Sequence, residues 1–515
     1  MHLNLRRQHD LFFLILLVYL VIFFRFFDVM NFGPMGFHQW RQSDSASQTM
    51  CYYENGMHFF QTKMHNVLSG DNAAVSEFPI IYYLGAALYH LAGPKEAVLR
   101  WLNFLILVTG FYGLSRVVLD MTQNAFSAVL FTGAMLCSPV LIFYGFGFIP
   151  NAPPVGLSLL AFWFYWLFLK DHKFRWFYLS AAAIALAGMI KPTVLSVFLA
   201  WLAVWLISFI FYEKDSAEIR KYFPATKQTV ITFAAVIGLN LAWIVWIKYY
   251  NHLHQTGIFI NRPNSILNVP PGETEKIWNT LWENFMPRLS LRETFWIFLS
   301  CLGLSMLFFK KFSIAFRWFW VFLLLATAAV FFLFFKQLEV HDYYLIDMMP
   351  FYFLGFAAVI YIFQKPIRIK WVSWALVPLF FIFMNMNAVA TRKHMLRSYG
   401  FEGSFEHATF PTDFGKAPEL RKYLGELGIN YHNTRVMTYP DYSPNITLYM
   451  LNLRGWNLTP GQFSTELIQR LIGYGGNHIA IFGKENLENE ILKPFLKNQV
   501  GAFEDKIFIF KTGGL

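Results

Sequence analysis

Two acidic residues between the first two strongly apolar segments, Asp44 and Glu77, are the candidates for acid–base chemistry. Asp44 lies in the polar run QSDSASQ, and Glu77 opens the segment EFPIIYY. A carboxylate held near a membrane surface can act as a general base toward an acceptor hydroxyl or amine. Each acid also has a structural interpretation: Asp44 could cap a helix, and Glu77 could stabilise a helix N-terminus.

Two cations and an amide could serve as partners for these acids or for an anionic substrate. Arg41 lies three residues before Asp44 and could either pair with it or bind a phosphate. Lys191, in GMIKP, falls at the outer end of an apolar segment, where it would bind an anion such as a lipid phosphate or snorkel to the surface. Asn151, in FIPNAPP, could contact substrate or cap the next helix.

Histidines and tyrosines add two further candidate groups. His252 and His254 could join Glu77 to hold a divalent metal, although two histidines at this spacing are weak evidence for one. No other cofactor is indicated. The segment HDYYLIDMMP brings His341, Tyr343 and Tyr344 to the start of another apolar segment. An aromatic belt at the interface explains the tyrosines but not the density of polar groups.

Composition requires that these residues be positioned by a membrane protein. The chain has 515 residues, of which 56% are hydrophobic and 14% charged, including 59 Phe. Soluble domains carry about 25% charged residues, and several apolar runs exceed the ~18 residues that indicate a spanning helix. The net charge of +11 therefore indicates basic cytoplasmic loops rather than nucleic-acid binding.

Hydropathy and the distribution of Lys and Arg predict eleven spans, with the N-terminus inside and the C-terminus outside. The predicted spans are 11–31, 97–118, 125–144, 152–170, 176–190, 194–212, 228–248, 294–309, 316–335, 346–363 and 371–389. The apolar segment 77–93 is too short to fit this count, since crossing there would turn the basic loops outward. We expect it to be a helix lying in the outer interface.

Three large segments fall on the outer side: 32–96, 249–293 and the tail from residue 394. The tail has the composition of a soluble domain, with predicted strands at 435–440, 478–483 and 506–511. Helical patterns between them, the last at about 488–498, predict a small α/β domain with a largely parallel sheet. The chain thus divides into a membrane domain, 1–393, and an outer domain, 394–515.

Polar residues concentrate on one membrane face, which favours chemistry or recognition at that face. A lipid or glycan transporter or flippase is the alternative, but transporters usually place ionisable groups near mid-span. The predicted spans carry few such groups. An enzyme acting at the outer surface therefore fits the pattern better.

The order of these motifs resembles the polyprenyl-phosphate-sugar-dependent glycosyltransferases of the GT-C fold. The resemblance is closest to family 39, which includes protein O-mannosyltransferases and aminoarabinose transferases. It covers about residues 1–390 and rests on the motifs HQWRQSDSA, EFPIIYYLGAALYHLAG, GFIPNAPP, GMIKP and HDYYLIDMMP.

This resemblance implies inverting transfer of a sugar from a polyprenyl-phosphate carrier to a lipid, glycan or protein acceptor. It makes Asp44 the expected base and Glu77 a second catalytic acid. The residues expected to bind substrate or phosphate are His38, Arg41, Gln42, Asn151, Lys191, Arg262, His341, Tyr343 and Tyr344. The expected location is a bacterial inner membrane, with the active face and the tail domain in the periplasm.

One departure from the family pattern concerns the catalytic acid. Many members carry an Asp-Glu pair shortly before an alanine in the first outer loop. Aligning that alanine with Ala46 places Arg41 and Gln42 where the pair would stand. Asp44 is then displaced by two or three positions, so the resemblance defines the family more firmly than it defines the base.

Overall fold

The protein is a bundle of apolar helices whose outer end is covered by polar loops and a small mixed domain. A computed structural model describes residues 2–68, 71–211, 213–259, 263–401 and 414–512. Buried aliphatic and aromatic side chains from α1 through the last helix of the bundle form one continuous core. The helices of this part are α1 (His2–Phe23), α2 (Phe26–Val29), α3 (Gln39–Glu54), α4 (Ile80–Ala92), α5 (Glu96–Thr122), α6 (Ala125–Leu136), α7 (Pro139–Gly145), α8 (Ala152–Asp171), α9 (Phe174–Ile190), α10 (Ser196–Ile207), α11 (Glu213–Arg220), α12 (Thr226–Leu253), α13 (Glu273–Thr280), α14 (Met286–Leu289), α15 (Arg292–Leu307), α16 (Ile314–Leu333), α17 (Met349–Ile362), α18 (Gln364–Ile367) and α19 (Lys370–Ser398).

The number of long apolar helices is smaller than the eleven predicted spans. Among the described residues, six helices are long and apolar enough to cross a membrane, or seven if the bent pair α6–α7 is one span. The pair bends by 82° where Ser138 caps α7 and Pro139 begins it. A hydropathy average over 125–144 does not register this break. α9 and α10 are apolar but shorter, and so is α4, which matches the predicted interfacial helix.

Close backbone contact between α5 and α8 sets the centre of the bundle. A Cβ atom on Gly110 would lie 2.0 Å from the carbonyl oxygen of Gly156. Small residues at such a crossing allow two membrane helices to pack backbone against backbone. Because α5 and α8 both run from the outer to the opposite end, this packing fixes the outer loops that flank them.

The C-terminal domain is a five-stranded mixed sheet with helices, which confirms the predicted α/β class. Its helices and strands are α20 (Ala417–Glu426), β1 (Arg435–Tyr439), α21 (Ile446–Leu451), β2 (Arg454–Asn457), α22 (Thr465–Gly473), β3 (His478–Phe482), β4 (Gln499–Phe503) and β5 (Ile507–Lys511). The strand order is β2-β1-β3-β5-β4. β1 is parallel to β2 and β3, whereas β5 is antiparallel to β3 and β4.

Two details of the tail prediction are wrong. The sheet is not largely parallel, because β4 and β5 form a hairpin at its edge. The helix predicted at about 488–498 is absent from that described stretch, where a short 3-10 turn covers Lys493–Phe495. Pro494 lies inside that turn and has no backbone N–H to continue a helix.

The first outer loop joins the sheet of the C-terminal domain at the edge strand β2. Asn66 forms a parallel bridge with Gly455. The Gly455 N–H donates to the carbonyl of His65 at 3.0 Å, and the N–H of Val67 donates to that of Gly455 at 2.8 Å. This pairing covers the edge of the sheet, so the tail domain is attached directly to the loop that carries Asp44.

Candidate active site

The loop that precedes helix α3 is held by hydrogen bonds from a side chain of that helix. His38 precedes the helix in the left-handed region, with φ 53°. Gln42 donates from Nε2 to the carbonyl oxygens of Met35 at 2.8 Å and Phe37 at 2.7 Å. Asp44 consequently lies in the second turn and does not cap the helix. The Gln42 amide nitrogen, a candidate substrate ligand, already has two backbone partners.

Arg41 and Glu77 form a half-buried ion pair in the first outer loop. Arg41 donates to the Glu77 carboxylate, which also accepts hydrogen bonds from Ser76 and Tyr82. Burial alone would raise the pKa of Glu77, but the charges of Arg41 and Lys191 outweigh it and lower this pKa. An acid held ionised in this way is a poor proton acceptor. It is suited to orienting the guanidinium group.

Asp342 connects three separate segments of the outer end. Its Oδ1 accepts from Tyr144 at 2.6 Å and contacts His38 Nε2 at 3.2 Å, and its Oδ2 accepts from Arg288 at 3.0 Å. The Arg288 guanidinium also stacks 3.8 Å from the ring centroid of Phe37. This carboxylate therefore fixes the first outer loop against α7 and α14.

Asp347 is the second buried carboxylate of the segment that contains Asp342. It accepts from Asn151 at 3.0 Å and from Thr193 at 2.6 Å. The Asn151 side chain makes no capping bond to α8, so the capping interpretation does not hold. Asp347 instead ties the start of α8 to the turn that follows Lys191.

Lys191 presents its ammonium group to the aromatic side of the site. Its Nζ lies 4.7 Å from the ring centroid of Tyr344 and 5.9 Å from that of Tyr343. Within the described residues its side chain has no hydrogen-bond or salt-bridge partner. Cation–π contacts of this kind hold a lysine in place without neutralising its charge.

His341 lies beside Tyr343 and Tyr344, the two tyrosines that Lys191 also contacts. Its ring centroid lies 5.3 Å from that of His38 and 5.1 Å from that of Tyr343. Burial and the neighbouring cations lower the pKa of His341 to about 4, so the ring is neutral near pH 7. Its Nδ1 is buried without a hydrogen-bond partner among the described residues. Such an atom is costly to leave unpaired and is available to a substrate.

Asp44 faces the C-terminal domain. Its Oδ1 accepts from Asn445 Nδ2 at 2.8 Å, and only 3% of the residue is exposed. Burial raises the pKa of Asp44 to about 6, against the opposing effects of the Arg41 charge and the Asn445 hydrogen bond. A carboxyl group with this pKa can exchange a proton near neutral pH.

The predicted metal group does not form. His254 pairs with Asp71, while Glu77 is bound by Arg41. No group of three or more His, Cys, Asp or Glu in the described part of the chain could hold a metal ion. The reason is local: Asn251 exchanges hydrogen bonds with both backbone groups of Val75, which directs this end of α12, with His252 and His254, toward the 71–75 segment.

All but one of the remaining predicted site residues lie close to one another in the structure. The structure brings together His38, Arg41, Glu77, Asn151, Lys191, His341, Tyr343 and Tyr344. Arg262 lies outside the described residues. The contributing residues that were not predicted for the site include Tyr82, Tyr144, Arg288, Asp342, Asp347 and Asn445. Of these, Arg288 has a sequence signal, since it is a lone cation between apolar residues in FMPRLS.

Comparison with known proteins gives one family-model match. Residues 76–246, about a third of the chain, match the family model described as dolichyl-phosphate-mannose-protein mannosyltransferase. No curated protein sequence matches the chain at a significant level. The matched segment contains Glu77, Asn151 and Lys191, so three of the expected site residues fall inside it.

Crystal structures of ArnT from Cupriavidus metallidurans have a similar fold. The apo state superposes with a TM-score of 0.60 at 10% identity, covering 97% of this chain and 98% of that chain. The state bound to undecaprenyl phosphate gives 0.58 at 10% identity, with 97% of each chain covered. The oligosaccharyltransferase AglB from Archaeoglobus fulgidus, in complex with an inhibitory peptide and a dolichol-phosphate, gives 0.49 at 11% identity over 92% of this chain and 70% of that chain.

The chain thus has the fold of ArnT over nearly its whole length, and about a third of it matches a mannosyltransferase family model. The resemblance inferred from the sequence motifs agrees with the ArnT-like fold of nearly the whole chain and with the family model over about a third of it, in the first half of the chain. More particularly, that model describes mannosyltransferases that use a dolichyl-phosphate carrier.

Proposed function

We propose that this protein moves a sugar from a polyprenyl-phosphate carrier to a lipid, glycan or protein acceptor, with inversion at the anomeric carbon. The observation that carries the proposal is Lys191, an ammonium group held on Tyr344 without a salt bridge among the described residues. A fixed cation without a salt bridge among the described residues, at the outer end of a membrane helix, suits a phosphate on a lipid.

The neighbouring side chains support the same assignment of substrate. Arg41 adds a second cation beside Lys191, and Glu77 holds it in place. The neutral ring of His341 offers an unpaired nitrogen to a sugar or phosphate oxygen. The ArnT structure that shares this fold is described as bound to undecaprenyl phosphate, which is the carrier chemistry we propose here.

In the proposed reaction Asp44 is the base. The acceptor O–H or N–H loses its proton to the Asp44 carboxylate while the acceptor attacks the anomeric carbon. The bond from that carbon to the carrier phosphate breaks, and its electron pair remains on the phosphate. Lys191 and Arg41 stabilise the charge that develops there. Attack opposite the leaving group inverts the configuration.

Asp44 has to be reached for this step, although it is buried at the contact with Asn445. Its pKa of about 6 suits a base near neutral pH, whereas the ionised Glu77 is engaged by Arg41. We therefore assign Glu77 to positioning Arg41. We place the reaction at the periplasmic face of a bacterial inner membrane, with the C-terminal domain on the same side.

The experiment is sugar transfer and donor hydrolysis by the purified protein in lipid, using polyprenyl-phosphate mannose and polyprenyl-phosphate aminoarabinose. We expect Lys191→Gln to lower turnover about 10²-fold, the usual effect of losing one stabilising group. Lys248→Gln is the matched control, since Lys248 is an exposed lysine near the outer end of α12.

Asp44→Asn tests the base separately. We expect turnover to fall by about 10²–10⁴-fold with donor binding retained, because Asn keeps the shape and can still accept from Asn445. Unchanged turnover in Asp44→Asn would remove Asp44 as the base. Donor movement across the bilayer without transfer, by the wild type, would contradict the enzyme assignment and favour a flippase.

A further inference from the structure

A cleft lies at the end of the bundle opposite the candidate active site. It lies between the start of α1, the ends of α5 and α8, and the turn before α19, with a volume of about 640 Å³. Because α5 is 27 residues long and rises ~1.5 Å per residue, the cleft is roughly 40 Å from the outer loops. Its lining residues are Leu5, Arg6, Leu119, Asp120, Gln123, Trp166, Lys170 and Arg368.

The cleft carries more positive than negative charge. Three cations, Arg6, Lys170 and Arg368, face one acid, Asp120. Lys170 pairs with the Asp120 carboxylate at 2.8 Å, and Trp166 Nε1 donates to the same oxygen at 3.0 Å. The single acid is thus already occupied, and the surplus charge belongs to the two arginines.

One of the two arginines is held by hydrogen bonds to the backbone, and the other is exposed. Arg368 is held by the backbone carbonyls of Met121 at 3.0 Å and Asp120 at 2.9 Å. Arg6 is exposed, and its side chain makes no hydrogen bond or salt bridge within the described residues. Arginine donors in such a group match the oxygen atoms of a phosphate.

The surroundings of the cleft match the interface and hydrocarbon region of one membrane leaflet. Trp166 lies at the rim, as tryptophans commonly do at the level of lipid headgroups. Beyond Arg6, α1 presents an exposed apolar surface formed by Leu11, Leu14, Ile15, Val18 and Ile22. An acyl chain can follow that surface while its phosphate enters the cleft.

We propose that this cleft binds the phosphate headgroup of an anionic phospholipid from the leaflet opposite the active site. Basic residues next to a membrane attract anionic lipids, and here the cations converge on a cavity instead of being spread along a loop. The shared chemistry is a phosphate anion, and a free phosphate would be the other source of it.

The test compares lipid retention by the wild-type protein and by variants of two neighbouring arginines. Wild type, Arg6→Gln and Arg7→Gln are extracted from nanodiscs that contain phosphatidylglycerol and phosphatidylcholine, and the bound lipids are counted by native mass spectrometry. We expect Arg6→Gln to lower the retained ratio of phosphatidylglycerol to phosphatidylcholine about fivefold, the loss typical of one basic residue at an anionic surface. Arg7 is equally exposed but does not line the cleft, so Arg7→Gln should retain the wild-type ratio.

Three results would overturn the proposal. Equal retention by wild type and Arg6→Gln would show that the cleft has no preference for anionic lipid. An equal loss in Arg7→Gln would assign the effect to general surface charge. Displacement of phosphatidylglycerol from wild type by millimolar inorganic phosphate would make the ligand a free phosphate. A second variant, Asp120→Asn, removes the acid and should raise the retained ratio.

Discussion

The two ends of the helix bundle differ in how deeply their charged side chains are buried. At the outer end, Asp342 and Asp347 are each 1% exposed, and every described contact of their carboxylates is to a group on another segment. At the opposite end, the Lys170–Asp120 pair has side chains that are 39% and 26% exposed. Buried charges cost far more to desolvate than exposed ones. The comparison therefore separates acids that are fully buried between segments at the outer end from a partly exposed pair at the opposite end.

The largest effect should come from neutralising the acid that joins the outer segments. Asp342→Asn would leave Arg288 next to Tyr144 and Phe37 without its carboxylate. We expect a loss of about 3 kcal/mol in the free energy of unfolding, measured by denaturant unfolding in detergent. A loss below 1 kcal/mol would mean that the outer end tolerates charge changes as the opposite end does.

The pH dependence of transfer gives the next effect. Burial raises the pKa of Asp44 to about 6, and the base acts only when ionised. Sugar transfer should therefore be constant above pH 7 and fall about tenfold for each pH unit well below 6. Initial rates at saturating donor would show this. The rate would be measured between about pH 4.5 and 7 in steps of about half a unit. An unchanged rate over this range would mean that Asp44 is not the group that takes the proton.

A smaller change should follow when the contact between loop and tail domain is weakened. Asn445→Ala removes the hydrogen bond that lowers the pKa of Asp44, so the pH midpoint of transfer should move upward. Loss of the bond should also cost about 1–3 kcal/mol of stability. Asn489→Ala is the control, since Asn489 bonds to Tyr439 within the same domain and should leave the midpoint unchanged.

The smallest effect should be seen at the opposite end. Asp120→Asn removes a partly exposed acid, and such pairs contribute about 0–1 kcal/mol. Unfolding measured as for Asp342→Asn should change by no more than this. A loss comparable to that of Asp342→Asn would end the contrast between the two ends and give Asp120 a structural role.

Sequence patterns predicted the elements that depend on local information. Apolar length placed most of the helices, and short apolar runs placed β1, β3 and β5. The break at Ser138-Pro139 was missed because an apolar average does not register a bend. The count of six or seven long apolar helices differs from the eleven predicted spans because several apolar segments fold as shorter helices.

Contacts within the site were predictable where both residues belong to one sequence motif. They were not predictable where the two residues are far apart in the sequence. Tyr343 and Tyr344 adjoin His341 in sequence, so their meeting was expected. Asp44 with Asn445 and His38 with Asp342 are separated by 401 and 304 positions. No periodicity links such pairs, and only the packing of the helices between them brings them together.

The joining of Asn66 to Gly455 sets an order of events during synthesis. The first outer loop emerges early, yet the strand that pairs with it and the amide that bonds Asp44 lie near the end of the chain. At ~5–20 residues per second, the ribosome needs roughly 20–80 s to add the intervening 401 positions. During that time the loop remains without its partner, so the contact between Asp44 and Asn445 forms only after residue 445 has been synthesised.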